Sequence, residues 1–207
     1  MLVLSPHTDD AELSCGGTIM KMIKKGYQVT VIVFSNCENS LIENDMDPCT
    51  LLNENVDSLE VLGVQHTIYL DYENRKLFEK RAEILNYLHV YSKSHEVEYV
   101  FIPQPNDVHQ DHQTVAEEAI RAFRRTNAKI FGYEIIGTSN FDPNYYIPLT
   151  IKEVERKIMA LECYKSQKIL RPYFQPDIVK SMAIMRGAAV NERYAEAFTL
   201  IKGRFEI

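Results

Sequence analysis

The chain has 207 residues, about one and a half times the common domain size, which predicts one domain over residues 1–207 with a substantial core. Apolar residues make up 45% and charged residues 25% of it, the globular average, which excludes disordered, collagen-like and coiled-coil classes. Against 23 Lys and Arg stand 29 Asp and Glu, a net charge of -6, the wrong sign for holding nucleic acid by neutralising its phosphates.

Residues 1–5 (MLVLS) form a short apolar run ending at Pro6, and residues 28–35 (QVTVIVFS) are rich in β-branched side chains, so both read as buried strands. Between them, residues 16–25 carry Ile19, Met20 and Ile23 at helical spacing and stop at Gly26, which completes a β-α-β unit. A helix over 51–62 with Leu52, Val56, Leu59 and Leu62 on one face ends at Gly63 and leads into a strand over 66–70. Residues 77–93 repeat Leu77, Ile84, Leu85, Leu88 and Tyr91 on one helical face, and 97–102 is the next strand before Pro103. A helix with Val115, Ala119, Ala122 and Phe123 inward and a strand over 129–135 follow. The alternation predicts an α/β fold: a Rossmann-like, three-layer arrangement with a mostly parallel sheet of about five strands. Beyond residue 136 the pattern loosens. Thr150 and Glu153 form a capping box opening a helix to about residue 164, and another helix is read over 176–189. This C-terminal third is expected to be a helical extension on the same core.

The longest apolar runs, such as residues 31–34, fall far short of the roughly 20 residues that span a bilayer. The opening MLVLSP lacks the basic region, apolar stretch and cleavage site of a signal peptide, so the cytoplasm is the expected compartment. Cys15, Cys37, Cys49 and Cys163 stand far apart without a Cys-x-x-Cys, against both a disulfide framework and a thiolate zinc knot, and are expected to be reduced and mostly buried.

Two acidic and histidine-rich clusters follow strands. One is His7, Asp9, Asp10 and Glu12 with Gly16 and Gly17 beyond; the other is Asp107, His109, Asp111 and His112. Open α/β sheets bind ligands beyond the carboxyl ends of their strands where strand order reverses, so the clusters meet if the first and fourth strands are neighbours. A catalytic zinc takes three His or carboxylate ligands and keeps one position open for water. His7 and Asp10, three apart on one turn, with His112 from the second loop, supply that set. Asp9 is then free to act as general base. His109 and Asp111 read as a second pair, the carboxylate orienting the imidazole and favouring its charged form, so that a cationic His109 stabilises an oxyanion. Gly16 and Gly17 are read as letting the backbone pass close to the site and as opening a helix whose positive end faces it. Alone, an Asp-Asp pair after a strand is more often a helix cap with a solvated acid; two clusters at equivalent strand ends favour a site. His66, His89 and His95 lack such company. Neither Gly-x-Gly-x-x-Gly nor a Walker A sequence is present.

The segment SPHTDDAELSCGGTI (residues 5–19) closely resembles the opening motif of the PIG-L or LmbE-like zinc-dependent N-deacetylases, a His-Pro-Asp-Asp with a following Glu and Gly-Gly. PNDVHQDH (residues 105–112) resembles that family's second motif, His-Pro-Asp-His, and His112 lies 102 residues beyond Asp10, which also fits. Thr8 and Gln110 stand where the family commonly has proline, a change in loop stiffness and not in ligand chemistry. Tyr133-Glu134 with Thr138-Ser139-Asn140, Tyr164 to Gln167, Arg186-Gly187 and Tyr194 to Phe198 resemble stretches of members acting on sugars. The resemblance implies hydrolysis of an N-acetyl group from an N-acetylglucosamine-type sugar by a zinc enzyme, with Asp9 moving the proton and His109 steadying the oxyanion. Members of that family often assemble as homo-oligomers, trimers or hexamers, while the sequence itself does not give the oligomeric state. Glu12 either anchors the loop or bonds a substrate hydroxyl, the structural role being favoured. The rival readings are a different metal hydrolase, such as a phosphoesterase, and a non-catalytic sugar or nucleotide-sugar binding module. Acidic surroundings disfavour a phosphate at the reacting centre, and Asp9 favours catalysis over simple binding. The expected selecting loops, 36–50, 137–148 and 164–175, follow no readable code for which N-acetyl sugar is taken.

Overall fold

The computed structural model describes residues 1–138 and 141–204; Ser139 and Asn140, quoted above in one of the family-like stretches, lie outside the described residues. Five strands run parallel: β1 (Leu2–Ser5), β2 (Thr30–Val33), β3 (His66–Tyr69), β4 (Tyr99–Pro103) and β5 (Lys129–Tyr133). Two more, β6 (Tyr145–Pro148) and β7 (Ala195–Lys202), join antiparallel, giving a seven-stranded sheet of order β3-β2-β1-β4-β5-β7-β6. The sheet therefore exceeds the five strands expected, and the C-terminal third is not only helical. β7 was hidden because Ala195, Glu196 and Ala197 are helix formers with weak strand preference; burial on both faces overrides that preference, since Ala195 through Phe198 are all buried.

Helices cover both faces. On one side α1 (Asp10–Lys24), α3 (Thr50–Leu62) and α6 (Ile151–Leu161) pack together over a core including Val3, Ile19, Val31 and Phe101. On the other, α4 (Arg81–Ser94) and α5 (Gln110–Phe123) bury Ile84, Leu88, Val115, Ala119 and Phe123 against Leu4, Ile32 and Ile102. The short helices α2 (Glu38–Ile42) and α7 (Lys165–Leu170), with α8 (Pro176–Ala188), close the C-terminal ends of the strands and the adjoining flank. The capping box of α6 forms as the sequence predicts: Glu153 N–H donates to Thr150 Oγ1 and Thr150 N–H to the Glu153 carboxylate.

Two local expectations change. Helix α1 starts at Asp10, so the first cluster occupies its opening turn, and Gly16 and Gly17 lie inside it. Added Cβ atoms there would come within 2.9 Å of Lys157 Cγ and 2.5 Å of Leu149 Cδ1; these glycines admit neighbouring side chains and do not open a helix toward the site. In α3 the inward face is Leu51, Asn55, Ser58, Leu59 and Leu62, while Val56 is 49% exposed. The face is rotated because Asn55 is drawn inward by polar partners described below. All four cysteines are free, with Cys15 and Cys37 buried and Cys49 exposed. Among the described residues no helix is long and apolar enough to cross a membrane.

Candidate metal and catalytic centre

β1 and β4 are parallel neighbours, pairing Leu2 with Val100 and Val3 with Phe101, and strand order reverses between them. The two clusters leave the carboxyl ends of these strands and meet there. Ser5 shapes the first turn: its Oγ donates to His7 C=O at 2.6 Å and accepts from Ala11 N–H at 3.1 Å. His7 N–H donates to Asp10 Oδ2 at 2.8 Å, which folds the carboxylate back toward the imidazole of the same turn.

Three ligand atoms converge. Asp10 Oδ2 lies 3.3 Å from His7 Nδ1 and 3.4 Å from His112 Nε2, and the two nitrogens are 3.3 Å apart. Zinc bonds of about 2.0–2.1 Å at tetrahedral angles put ligand atoms about 3.3–3.4 Å apart, so this triangle has the dimensions of one face of such a site. The far nitrogens are held by carboxylates: His7 Nε2 is 3.1 Å from Asp111 Oδ2, and His112 Nδ1 is 3.2 Å from Asp107 Oδ2. Each carboxylate takes the N–H of its imidazole and leaves the other nitrogen's lone pair aimed at the shared point. Burial pulls the His7 and His112 pKa values down, but Asp10 together with Asp111 or Asp107 outweighs it, raising them to about 9 and about 10. Asp10 is desolvated too, yet the two imidazoles hold it well below the usual carboxylate range. The cluster is built to hold positive charge, and its donor set fits zinc.

Asp9 is the N-cap residue of α1, yet its side chain makes no capping bond. Its carboxylate instead lines a cavity of about 250 Å³ together with His7, Asp10, His109 and His112. Burial and the adjacent Asp10 charge push its pKa up to about 6. A larger hollow of about 1250 Å³ opens at the opposite end of the sheet, around Met1, Thr30, His66 and Lys129, away from these groups.

His109 caps α5 through its ring, accepting Asp111 N–H on Nδ1 at 3.2 Å. The expected pairing of the Asp111 carboxylate with His109 is not what the structure shows. That carboxylate is buried against His7 and accepts N–H bonds from Arg75 at 2.5 Å and Leu77 at 3.2 Å. Burial and the neighbouring His7 and His112 accordingly depress the His109 pKa to about 4, so this histidine is neutral, not cationic. With Nδ1 accepting, its proton resides on Nε2. His109 also stands close to both proposed ligand histidines, with ring centroids 4.7 Å and 4.9 Å away, and its ligand nitrogen falls within 4.8 Å of theirs.

Asp107, a member of the second cluster to which the sequence assigns no role of its own, is a working part of the site. It is 5% exposed and has three site contacts: Oδ2 takes His112 Nδ1 and the Thr138 hydroxyl, at 3.2 Å and 3.1 Å, and Oδ1 takes His109 N–H at 2.9 Å. Its placement five residues before His112, at the mouth of a helix, was the available signal. Glu12 is fully buried and anchors the loop, the favoured alternative: its Oε1 is 2.8 Å from Tyr164 Oη and 3.1 Å from Asn55 Nδ2. Both partners also donate to Thr8 C=O, at 2.7 Å and 2.6 Å, beside Asp9. One phenolic proton satisfies both oxygens if Glu12 carries its own, in keeping with burial raising Glu12 to about 8. The three loops expected to select the substrate all reach the cavity, through Cys37 and Ser40, Gly137 and Thr138, and Gln167, Arg171 and Tyr173.

The chain is similar to several known proteins. The chain is 27% identical over 172 residues to an Escherichia coli (strain K12) protein described as the uncharacterized deacetylase YaiS, covering 80% of this chain and 90% of that one. It is 24% identical over 234 aligned positions to the diacetylchitobiose deacetylase of Thermococcus kodakarensis, covering 99% of this chain and 84% of that one. The fold is shared with GalB, the 4-carboxy-2-hydroxymuconate hydratase of Pseudomonas putida KT2440, at TM-score 0.82 and 20% identity over 100% of this chain and 97% of that one; shape alone therefore does not set the reaction. Residues 2–123, more than half of the chain and both clusters with them, match the PIG-L family, described as GlcNAc-PI de-N-acetylase, and the chain belongs to that family.

Proposed function

We propose that this chain, acting as one unit over residues 1–207, is a zinc-dependent hydrolase that removes the N-acetyl group from an N-acetylglucosamine-type sugar. The observation that carries the reading is the His7, Asp10 and His112 triangle with an uncapped Asp9 carboxylate beside it. A zinc ion held by those three residues would polarise the amide carbonyl and acidify a water at its open position. Asp9 takes a proton from the attacking water as the water oxygen adds to the amide carbon. The neutral His109, with its proton on Nε2, donates to the oxyanion; preorganised hydrogen-bond donation serves here without a cationic ring. Asp9 then delivers its proton to the departing nitrogen, the C–N bond breaks, and acetate and a free amine leave. Asp107 and Asp111 hold the two ligand imidazoles. The hydratase on the same fold favours no second reading, because it shares the fold at only 20% identity.

The test is acetate release from a panel of N-acetylated sugars by zinc-loaded and chelator-treated protein. Metal-dependent acetate release is the expected result. Release of phosphate from phosphosugars in its place, or binding of sugars without turnover by fully zinc-loaded protein, overturns the proposal.

A further inference from the structure

Arg171 stands out among the cavity residues. It follows α7 and precedes Pro172, and the residue before a proline is forced out of the helical region; Arg171 is accordingly extended (φ -135°, ψ 110°), and its side chain leaves the helix. Gln167, 6% exposed, fixes the guanidinium by accepting its Nε–H at 3.0 Å. The Tyr173 ring lies beneath it, 5.9 Å from centroid to guanidinium carbon. Both partners are neutral. Among the described residues no carboxylate lies within ion-pair distance of Arg171, whereas the other arginine of the cavity, Arg75, is paired with Glu43 at 3.0 Å. A guanidinium whose Nε is tied down and whose terminal nitrogens have no hydrogen-bond partner among the described residues presents the planar fork that carboxylates and phosphates accept.

Placement in an acidic protein sharpens the point. The chain carries a net charge of -6, and Asp10, Asp107 and Asp111 already pair with His7 and His112. A proline, a buried amide and an aromatic ring steer this arginine into the cavity that Asp9 also lines.

Building on the deacetylase reading, we propose that Arg171, oriented by Gln167 and Tyr173, receives a carboxylate or phosphate substituent of the N-acetylated sugar, so that the preferred substrate is anionic. The anion sits at the arginine and not at the reacting amide, where the acidic cluster would repel it.

The experiment measures kcat/KM for three compounds with zinc-loaded protein: neutral methyl N-acetylglucosaminide, N-acetylglucosamine 1-phosphate, and the N-acetylglucosaminide of glycolic acid. Wild type should favour at least one anionic compound over the neutral one by about tenfold or more, chiefly through KM, as a charge-assisted bond present in ground and transition states requires. The phosphate and carboxylate arms identify the source of the charge. In Arg171→Gln the anionic-to-neutral ratio should fall to within about twofold, and in Arg171→Lys it should lie between. Calorimetric binding of glucosamine 1-phosphate against methyl glucosaminide should show the same loss in Arg171→Gln without turnover. Equal use of all three compounds by wild type, or an anionic preference that survives Arg171→Gln, overturns the assignment of Arg171 while leaving the deacetylase intact. Failure to release acetate from any N-acetyl sugar is instead a failure of the deacetylase reading.

Discussion

The Asp111 carboxylate rests 3.1 Å from Nε2 of His7, while the main-chain N–H of the same residue donates to Nδ1 of His109. One residue thus orients two histidines, the proposed ligand by its side chain and the proposed oxyanion donor by its backbone. Asp111→Asn removes the first influence and keeps the second. Metal affinity should fall by about 10–100-fold, read by competition with a chromophoric chelator. Unaltered affinity would show that His7 needs no carboxylate behind it.

Asp9 and Asp10 are adjacent carboxylates with different environments. In Asp9→Asn the metal should stay and turnover fall by roughly a hundredfold to ten-thousandfold; in Asp10→Asn the metal itself should be lost with activity, since a neutral amide replaces an anionic ligand. Elemental analysis with acetate release on both variants decides, and the opposite pattern reverses the two roles.

Asp9 also sets a pH dependence. Its carboxylate, raised to about 6 by burial and by Asp10, works only when ionised, so kcat/KM should be full at higher pH and fall tenfold per unit once pH drops below the midpoint. A bound cation favours the ionised form, which places that midpoint at or below about 6. An acid limb that persists unchanged in the residual activity of Asp9→Asn assigns it to another group.

His109→Ala should retain its metal and lose about a hundredfold to a thousandfold in turnover, the cost of removing one oxyanion donor. Loss of metal from this variant would instead enlist His109 among the ligands.

For Glu12 the linkage runs toward instability at high pH. Burial raises its folded pKa from 4.5 to about 8, so between those values the native state holds a proton that the unfolded chain has released, and this contribution to stability is lost as pH rises through that window. Glu12→Gln keeps both a hydrogen-bond donor and an acceptor at this position, beside Tyr164 and Asn55, and cannot ionise. Its thermal midpoint should fall less steeply than wild type between pH 5 and about 8, an effect on the order of a few kcal/mol. Parallel curves for the two proteins would falsify a protonated Glu12.

How much of this was legible beforehand depends on the range of the interaction. The parallel strands, the helices α4, α5 and α6 and the proposed ligand set were readable because β-branched runs, helical periodicity and clustered His and Asp are local patterns, carried by residues such as Val31, Leu88 and Val115 or by a motif as short as residues 7–10. The strand neighbourhood that joins His7 to His112 was conditional in the sequence and is decided by β1 pairing with β4 across about a hundred residues. β7 was missed because Ala-Glu-Ala reads as helix until long-range pairing with β5 and β6 overrides it. The inward turn of Asn55 and the choice of Asp111 for His7 instead of His109 were equally unreadable: a buried polar group goes wherever the packed chain offers a partner, and sequence spacing carries no record of those directions.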